Sequence, residues 1–178
     1  NFGVELDSLS DFVSFGVAPA ILIYMWSTFL LGSLGWGSTL FFVICSSLRL
    51  ARFTADVYII DKPINVNDYF VGVPSPAAAG LLLLPLLIYS EYQVSIFKNE
   101  YLNFINTIII AFLMISRIPT ISLKKININN KYKTWILLFI VITSISLISN
   151  IWLTFSGILI IYIISIFYTV FLKNKSSS

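Results

Sequence analysis

The chain has 178 residues, 58% of them hydrophobic and only 11% charged, with a net charge of +3 and a mean hydropathy of +0.93. A water-soluble domain carries about 25% charged residues, so this composition excludes an ordinary soluble fold and points to lipid. The absence of histidine and the single cysteine, Cys45, exclude an internal disulfide, Ser-His-Asp or Cys-His nucleophiles, and zinc held by histidine or a cysteine cluster.

A carboxylate is therefore the obvious proton acceptor. Cys45 lies in an apolar run and is expected only to pack. The weak net charge, without interleaved aromatic and basic residues, gives no sign of a nucleic-acid partner.

The chain opens Phe2-Gly3-Val4-Glu5-Leu6-Asp7-Ser8-Leu9-Ser10-Asp11 and then turns apolar. The spacing G-x3-D-x3-D puts Gly3, Asp7 and Asp11 on one helix face. Acids near a helix start favour the dipole, but two on one face at a bilayer edge need a cation, a proton or a substrate. Glu5 falls off that face and is read as interfacial. Ser14 lies two turns beyond Asp7, either lining a pocket or bonding back to its own helix. Pro19 has no N–H, which frees the Phe15 carbonyl and predicts a kink.

A membrane span needs about 20 apolar residues. Six candidates follow, at about 12–31, 35–52, 72–90, 102–117, 135–149 and 151–172. A tight turn, Gly32-Ser33-Leu34-Gly35, joins the first two. The last two break only at Asn150 and form a hairpin. The expectation is an all-α polytopic membrane bundle, one domain over residues 1–178, with Trp26, Trp36, Trp135 and Trp152 as interface anchors.

Alternation of the spans puts the Asp7/Asp11 end on the same side as 53–71, 118–134 and the tail. That side holds Arg49, Arg52, Lys62, Arg117, Lys124, Lys125, Lys131, Lys133, Lys173 and Lys175, and the other holds only Lys98. This asymmetry makes the carboxylate side cytoplasmic. The stretch Lys124 to Lys133 reads as a loop against anionic headgroups, and Ser176 to Ser178 as a frayed tail.

Two further segments reach the cytoplasmic side: Ser47-Leu48-Arg49-Leu50-Ala51-Arg52-Phe53 and Phe70-Val71-Gly72-Val73-Pro74-Ser75-Pro76-Ala77-Ala78-Ala79-Gly80. Proline is tolerated in a first helical turn, and the small residues after it let another backbone approach. Arg49 and Arg52 either clamp a phosphate or carboxylate or snorkel to headgroups. Asp56, Asp61 and Asp68 are solvated loop acids or partners for an ammonium group.

With Ser8 to Ala20 (SLSDFVSFGVAPA), these segments resemble the serine-using branch of the CDP-alcohol phosphatidyltransferases, over about 1–20, 46–54 and 70–80. The resemblance implies transfer of a phosphatidyl group from CDP-diacylglycerol to L-serine with release of CMP. It makes Asp7 a ligand of Mg2+ or Mn2+, Asp11 a ligand and general base, and Gly3 the residue that leaves room for the nucleotide. Beside these, Arg49, Arg52, Ser14 and Ser75 are candidates to bind substrate on their own chemistry and placement. The resemblance also implies a homodimer, membrane lipids as surroundings, and an upstream D-x2-D-G-x2-A-R half-motif, so the chain is read as lacking its N-terminal helices. Another alcohol acceptor or an archaeal lipid donor stays open. Phe12 stands where glycerol-phosphate-using members carry lysine. A transporter subunit is the rival from another class, although the spans hold no charge at their centres. Residues 91–178 carry no usable motif.

Overall fold

The computed structural model describes residues 2–58, 69–116, 119–121 and 130–176. Helix α1 (Phe2–Asp11) runs into a π-helical turn, Phe12–Val17, and on into α2 (Ala18–Trp26). Pro19 gives the reason for the wide turn. It cannot donate to Phe15, and the Ala18 N–H reaches back five residues to the Val13 carbonyl. The disturbance expected at Pro19 thus takes the form of a widened turn just before it.

A short 3-10 turn, Thr28–Leu31, and Gly32 at φ +55° reverse the chain into α3 (Ser33–Tyr58). This helix continues past the expected end at Arg52. Asp56 therefore stands on α3 and not in a loop, while Asp61, Lys62, Asp68, Arg117, Lys124 and Lys125 lie outside the described residues.

The helical reading holds, with one addition. Strand β1 (Tyr69–Val71) pairs antiparallel with β2 (Pro119–Ile121), Phe70 opposite Thr120. Gly72 follows at φ +81°, where a Cβ would lie 2.9 Å from both the Met114 and Ser116 carbonyl oxygens. Only glycine suits that backbone and that space.

Pro74 then caps α4 (Ser75–Tyr92), with Pro76 in its first turn. Inside α4, Pro85 deprives the Leu81 carbonyl of its helical donor, and Asn106 Nδ2 of α5 (Glu100–Ile115) reaches it at 3.4 Å. Helices α6 (Asn130–Ser149) and α7 (Ile151–Ser176) break at Asn150 and pack as a hairpin, with the Ser146 and Thr154 hydroxyls 2.6 Å apart.

The core sits where α3, α4, α5 and α7 meet, around Phe42, Leu82, Ala111, Met114 and Leu159. Its surroundings are inverted relative to a soluble protein. Ser38, Thr39, Ser46, Asn103 and Thr107 are buried, while Met25, Ile44, Ile105, Ile109 and Phe112 face outward. The inner hydroxyls bond back to their own helices, Thr39 to the Gly35 carbonyl and Thr107 to that of Asn103. Among the described residues, Glu5–Trp26 and Ser33–Arg52 are long and apolar enough to cross a membrane; Glu100–Ile115 and Ile151–Ile164 are shorter apolar helices.

Two polar ends follow. At one, the buried Asn103 amide donates to Ser27 Oγ (2.9 Å) and to the carbonyls of Phe97 and Asn99, and Ser27 Oγ donates to the Lys98 carbonyl. This ties the α2–α3 turn to the segment before α5. At the other end the β1–β2 ribbon joins the segments after α3 and α5, which the span alternation put on one side.

Candidate active site

The start of α1 lies level with the second half of α3. Glu5, Ser8, Leu9 and Phe12 of the first face Ser47, Leu50, Ala51 and Thr54 of the second across a groove of about 440 Å³. Deeper in, the two helices touch: a Cβ on Gly16 would sit 2.6 Å from Ser46 Oγ and 3.1 Å from Ser46 Cβ. Glycine therefore sets the separation that holds α1 against α3.

The groove takes up the Glu5 face of α1. Asp7 and Asp11 are on the opposite face, both exposed, and neither carries an ion pair or hydrogen bond among the described residues. Gly3 is exposed on the same face with nothing within 4 Å of where a Cβ would be. Ser14 is exposed within the π turn and, among the described residues, makes no bond back to its own helix. Glu5, which the spacing set aside as interfacial, lines the groove.

Arg49 and Ser75 come together. The Arg49 guanidinium donates through Nη1 to Ser75 Oγ at 2.8 Å, where α4 begins, and Ser75 is buried. Arg52 points elsewhere: it is exposed, and Nη1 reaches the carbonyl of Ile115, the last residue of α5, at 3.4 Å. A basic side chain suits a helix C-terminus, so Arg52 has a structural partner and Arg49 a polar one inside the bundle. On α7, which packs against α4, the Tyr162 hydroxyl is buried and has no hydrogen-bond partner among the described residues. Sequence reasoning missed Tyr162, because nothing near it in the chain marks it out from the other aromatics of an apolar helix.

The residues suit a hard divalent cation in their chemistry. Asp7 and Asp11 offer unpaired carboxylate oxygens one helical turn apart, about 5–6 Å between Cβ atoms. They form a partial donor set, since no group of three or more His, Cys, Asp or Glu side chains able to hold a metal ion occurs among the described residues.

No protein-family model matches the chain. Its curated relatives agree with one another. A Helicobacter pylori (strain J99) protein named CDP-diacylglycerol–serine O-phosphatidyltransferase is 33% identical over 99% of this chain and 74% of its own length. Proteins of the same name from Methanocaldococcus jannaschii and Saccharomyces cerevisiae are 42% and 34% identical, over 66% and 62% of this chain and 49% and 42% of their own lengths. The first alignment runs through the C-terminal half, where no motif was readable. With that identity along nearly its whole length, the chain belongs to the CDP-diacylglycerol–serine O-phosphatidyltransferase family.

Proposed function

We propose that this chain transfers the phosphatidyl group of CDP-diacylglycerol to the hydroxyl of L-serine, forming phosphatidylserine and releasing CMP. The observation that carries the reading is the 33% identity, over 99% of the chain, to a relative named for that reaction. The exposed, unpaired Asp7 and Asp11 supply the acid–base chemistry it needs.

In this reading the serine oxygen forms a new bond to phosphorus, and the phosphorus–oxygen bond to CMP breaks, with the electron pair leaving on CMP. Asp11 accepts the serine hydroxyl proton on a carboxylate oxygen. A bound Mg2+ or Mn2+ would neutralise the pyrophosphate charge, and Asp7 with Asp11 would hold it. Gly3 keeps the carboxylate face clear for the nucleotide. Ser14 would lie along the same face, and Arg49 and Ser75 would meet a substrate anion, while Arg52 serves the C-terminus of α5.

The bundle would lie in the membrane through all six long helical stretches, as its outward apolar and inward polar side chains support. The end with Asp7, Asp11 and the β ribbon would face the cytoplasm, on the charge asymmetry of the loops. A homodimer fits the family.

The test is a parallel acceptor assay with the full-length protein in lipid–detergent micelles containing CDP-diacylglycerol. CMP release should require L-serine and a divalent cation. Release driven by glycerol 3-phosphate and not by serine would overturn the acceptor assignment.

A further inference from the structure

The groove between α1 and α3 plays no part in the reaction proposed above, which uses the opposite face of α1. Its depth and lining nevertheless define what it can hold. Glu5 opens one apolar stretch of membrane length and Arg52 closes the other, so the Glu5 and Thr54 end of the groove lies at headgroup level. The Phe12 and Ser47 end is seven residues further along each helix, about 10 Å deeper. Just beyond it, the contact of Gly16 with Ser46 closes the groove.

Leu9, Phe12, Leu50 and Ala51 make the lining mostly apolar. Its hydroxyl hydrogens are already committed on α3: Ser47 Oγ donates to the Ile44 carbonyl at 2.8 Å, and Thr54 Oγ1 faces the carbonyls of Leu50 and Ala51 at 2.9 and 3.1 Å. Ser8 is engaged as well. Glu5 is the charged residue of the lining, exposed and without an ion pair among the described residues. An acid in a first helical turn is favoured by the dipole, which accounts for Glu5 on α1 but not for the apolar slot beneath it. An anionic head would meet a like charge there and no uncommitted hydroxyl hydrogen from α3. An ammonium head would meet an acceptor, with room for an alkyl chain below. A second copy of this chain fits less well, because a two-fold contact through the groove would bring two Glu5 carboxylates into one interface.

We propose that this groove binds an aminophospholipid, with its ammonium group on Glu5 and one acyl chain along Leu9, Phe12 and Leu50. The phosphate stays outward in the headgroup layer. This rests on the reading of the bundle as a membrane-embedded enzyme that forms phosphatidylserine, and under that reading the enzyme's own product belongs to the class bound. The lipid site is then separate from the Asp7/Asp11 face.

The test is native mass spectrometry of the full-length protein in detergent, with phosphatidylethanolamine and phosphatidylglycerol of identical acyl chains as probes. Wild type should retain phosphatidylethanolamine about two- to fivefold over phosphatidylglycerol, the scale of an exposed ion pair. Glu5→Gln keeps the size of the side chain, removes the charge and should abolish the preference. Ala51→Phe fills the slot from an exposed helix position and should abolish retention of the preferred lipid. Glu5→Gln alters an exposed, unpaired group, so it decides the matter even where Ala51→Phe does not fold.

Equal retention of the two lipids by wild type, as a groove covered by a second copy or by another part of the full-length chain would give, overturns the proposal. So does a preference that survives Glu5→Gln. Competition by O-phosphoethanolamine as strong as by the whole lipid would make the ligand a free amine and would overturn it too. Serine-dependent CMP release is measured on the same samples. Its absence would fail the functional reading, while the lipid comparison decides the groove by itself.

Discussion

Gly16→Ala is the substitution whose effect follows most directly from the packing. The new methyl would lie 2.6 Å from Ser46 Oγ, 3.1 Å from Ser46 Cβ and 3.2 Å from Phe12 Cδ2. Rotating the serine hydroxyl relieves the first contact only. The contact with Ser46 Cβ forces the π turn away from α3 by a few tenths of an ångström, and the Phe12 ring, in the same turn as Gly16, must shift as well. Overpacking of this kind costs about 1–3 kcal/mol. The displaced segment begins at Phe12, one residue after Asp11, so the carboxylate moves with it; a 1 Å misplacement can lower turnover about 100-fold, so a shift of a few tenths of an ångström should lower it about threefold to tenfold.

Ser46→Ala should rescue part of this loss, because it removes the 2.6 Å contact and leaves the 3.1 Å one. Thermal unfolding in detergent, with serine-dependent CMP release on the same samples, measures both effects in a double-mutant cycle. Coupling of about 0.5 kcal/mol or more between residues 16 and 46 is the expectation. Additive effects, or a Gly16→Ala protein as stable and active as wild type, would refute the close approach of the π turn to α3.

Three further outcomes are expected of the full-length protein. Asp11→Asn keeps the fold, since the side chain is exposed and unpaired, but loses serine-dependent CMP release by about 100-fold or more, the scale of general base catalysis; turnover near wild type would remove Asp11 from that role. Asp7→Asn raises the Mg2+ or Mn2+ concentration needed for half-maximal activity, and an unchanged metal titration would show that Asp7 is not a ligand. Arg52→Lys leaves KM for both substrates nearly unchanged and lowers stability by at most about 1 kcal/mol, because Arg52 is exposed and its one bond, 3.4 Å to the Ile115 carbonyl, is long. A large KM effect would put Arg52 on a substrate.

The helices were legible because apolar runs of membrane length are the strongest pattern a chain can carry, and Asn150 or Gly32 interrupts them plainly. The Asp7/Asp11 face was legible for the same local reason: residues four apart on a helix share a side whatever else happens. Contacts between distant segments were not. Tyr162 is one aromatic in an apolar helix until α7 packs on α4 and its hydroxyl is buried. From the sequence Arg52 is slightly favoured as the substrate-binding member, being nearer the aqueous end of its helix, and only the positions of Ser75 and of the α5 C-terminus turn the choice toward Arg49. Asp56 was assigned to a loop because Arg52 looked like a span end, yet a helix need not stop where its apolar stretch does. The β1–β2 pairing escaped notice because three-residue strands leave no period to detect.

The central claim is that this chain makes phosphatidylserine with Asp11 as the base. The most direct measurement is mass spectrometry of the lipid formed when the full-length enzyme, CDP-diacylglycerol, Mg2+ or Mn2+ and isotopically labelled L-serine are incubated together, with Asp11→Asn run in parallel. The account predicts a phospholipid carrying the whole labelled serine, one CMP released per lipid formed, and neither product from Asp11→Asn. CMP released without label in the lipid, or labelled lipid formed equally well by Asp11→Asn, would contradict it.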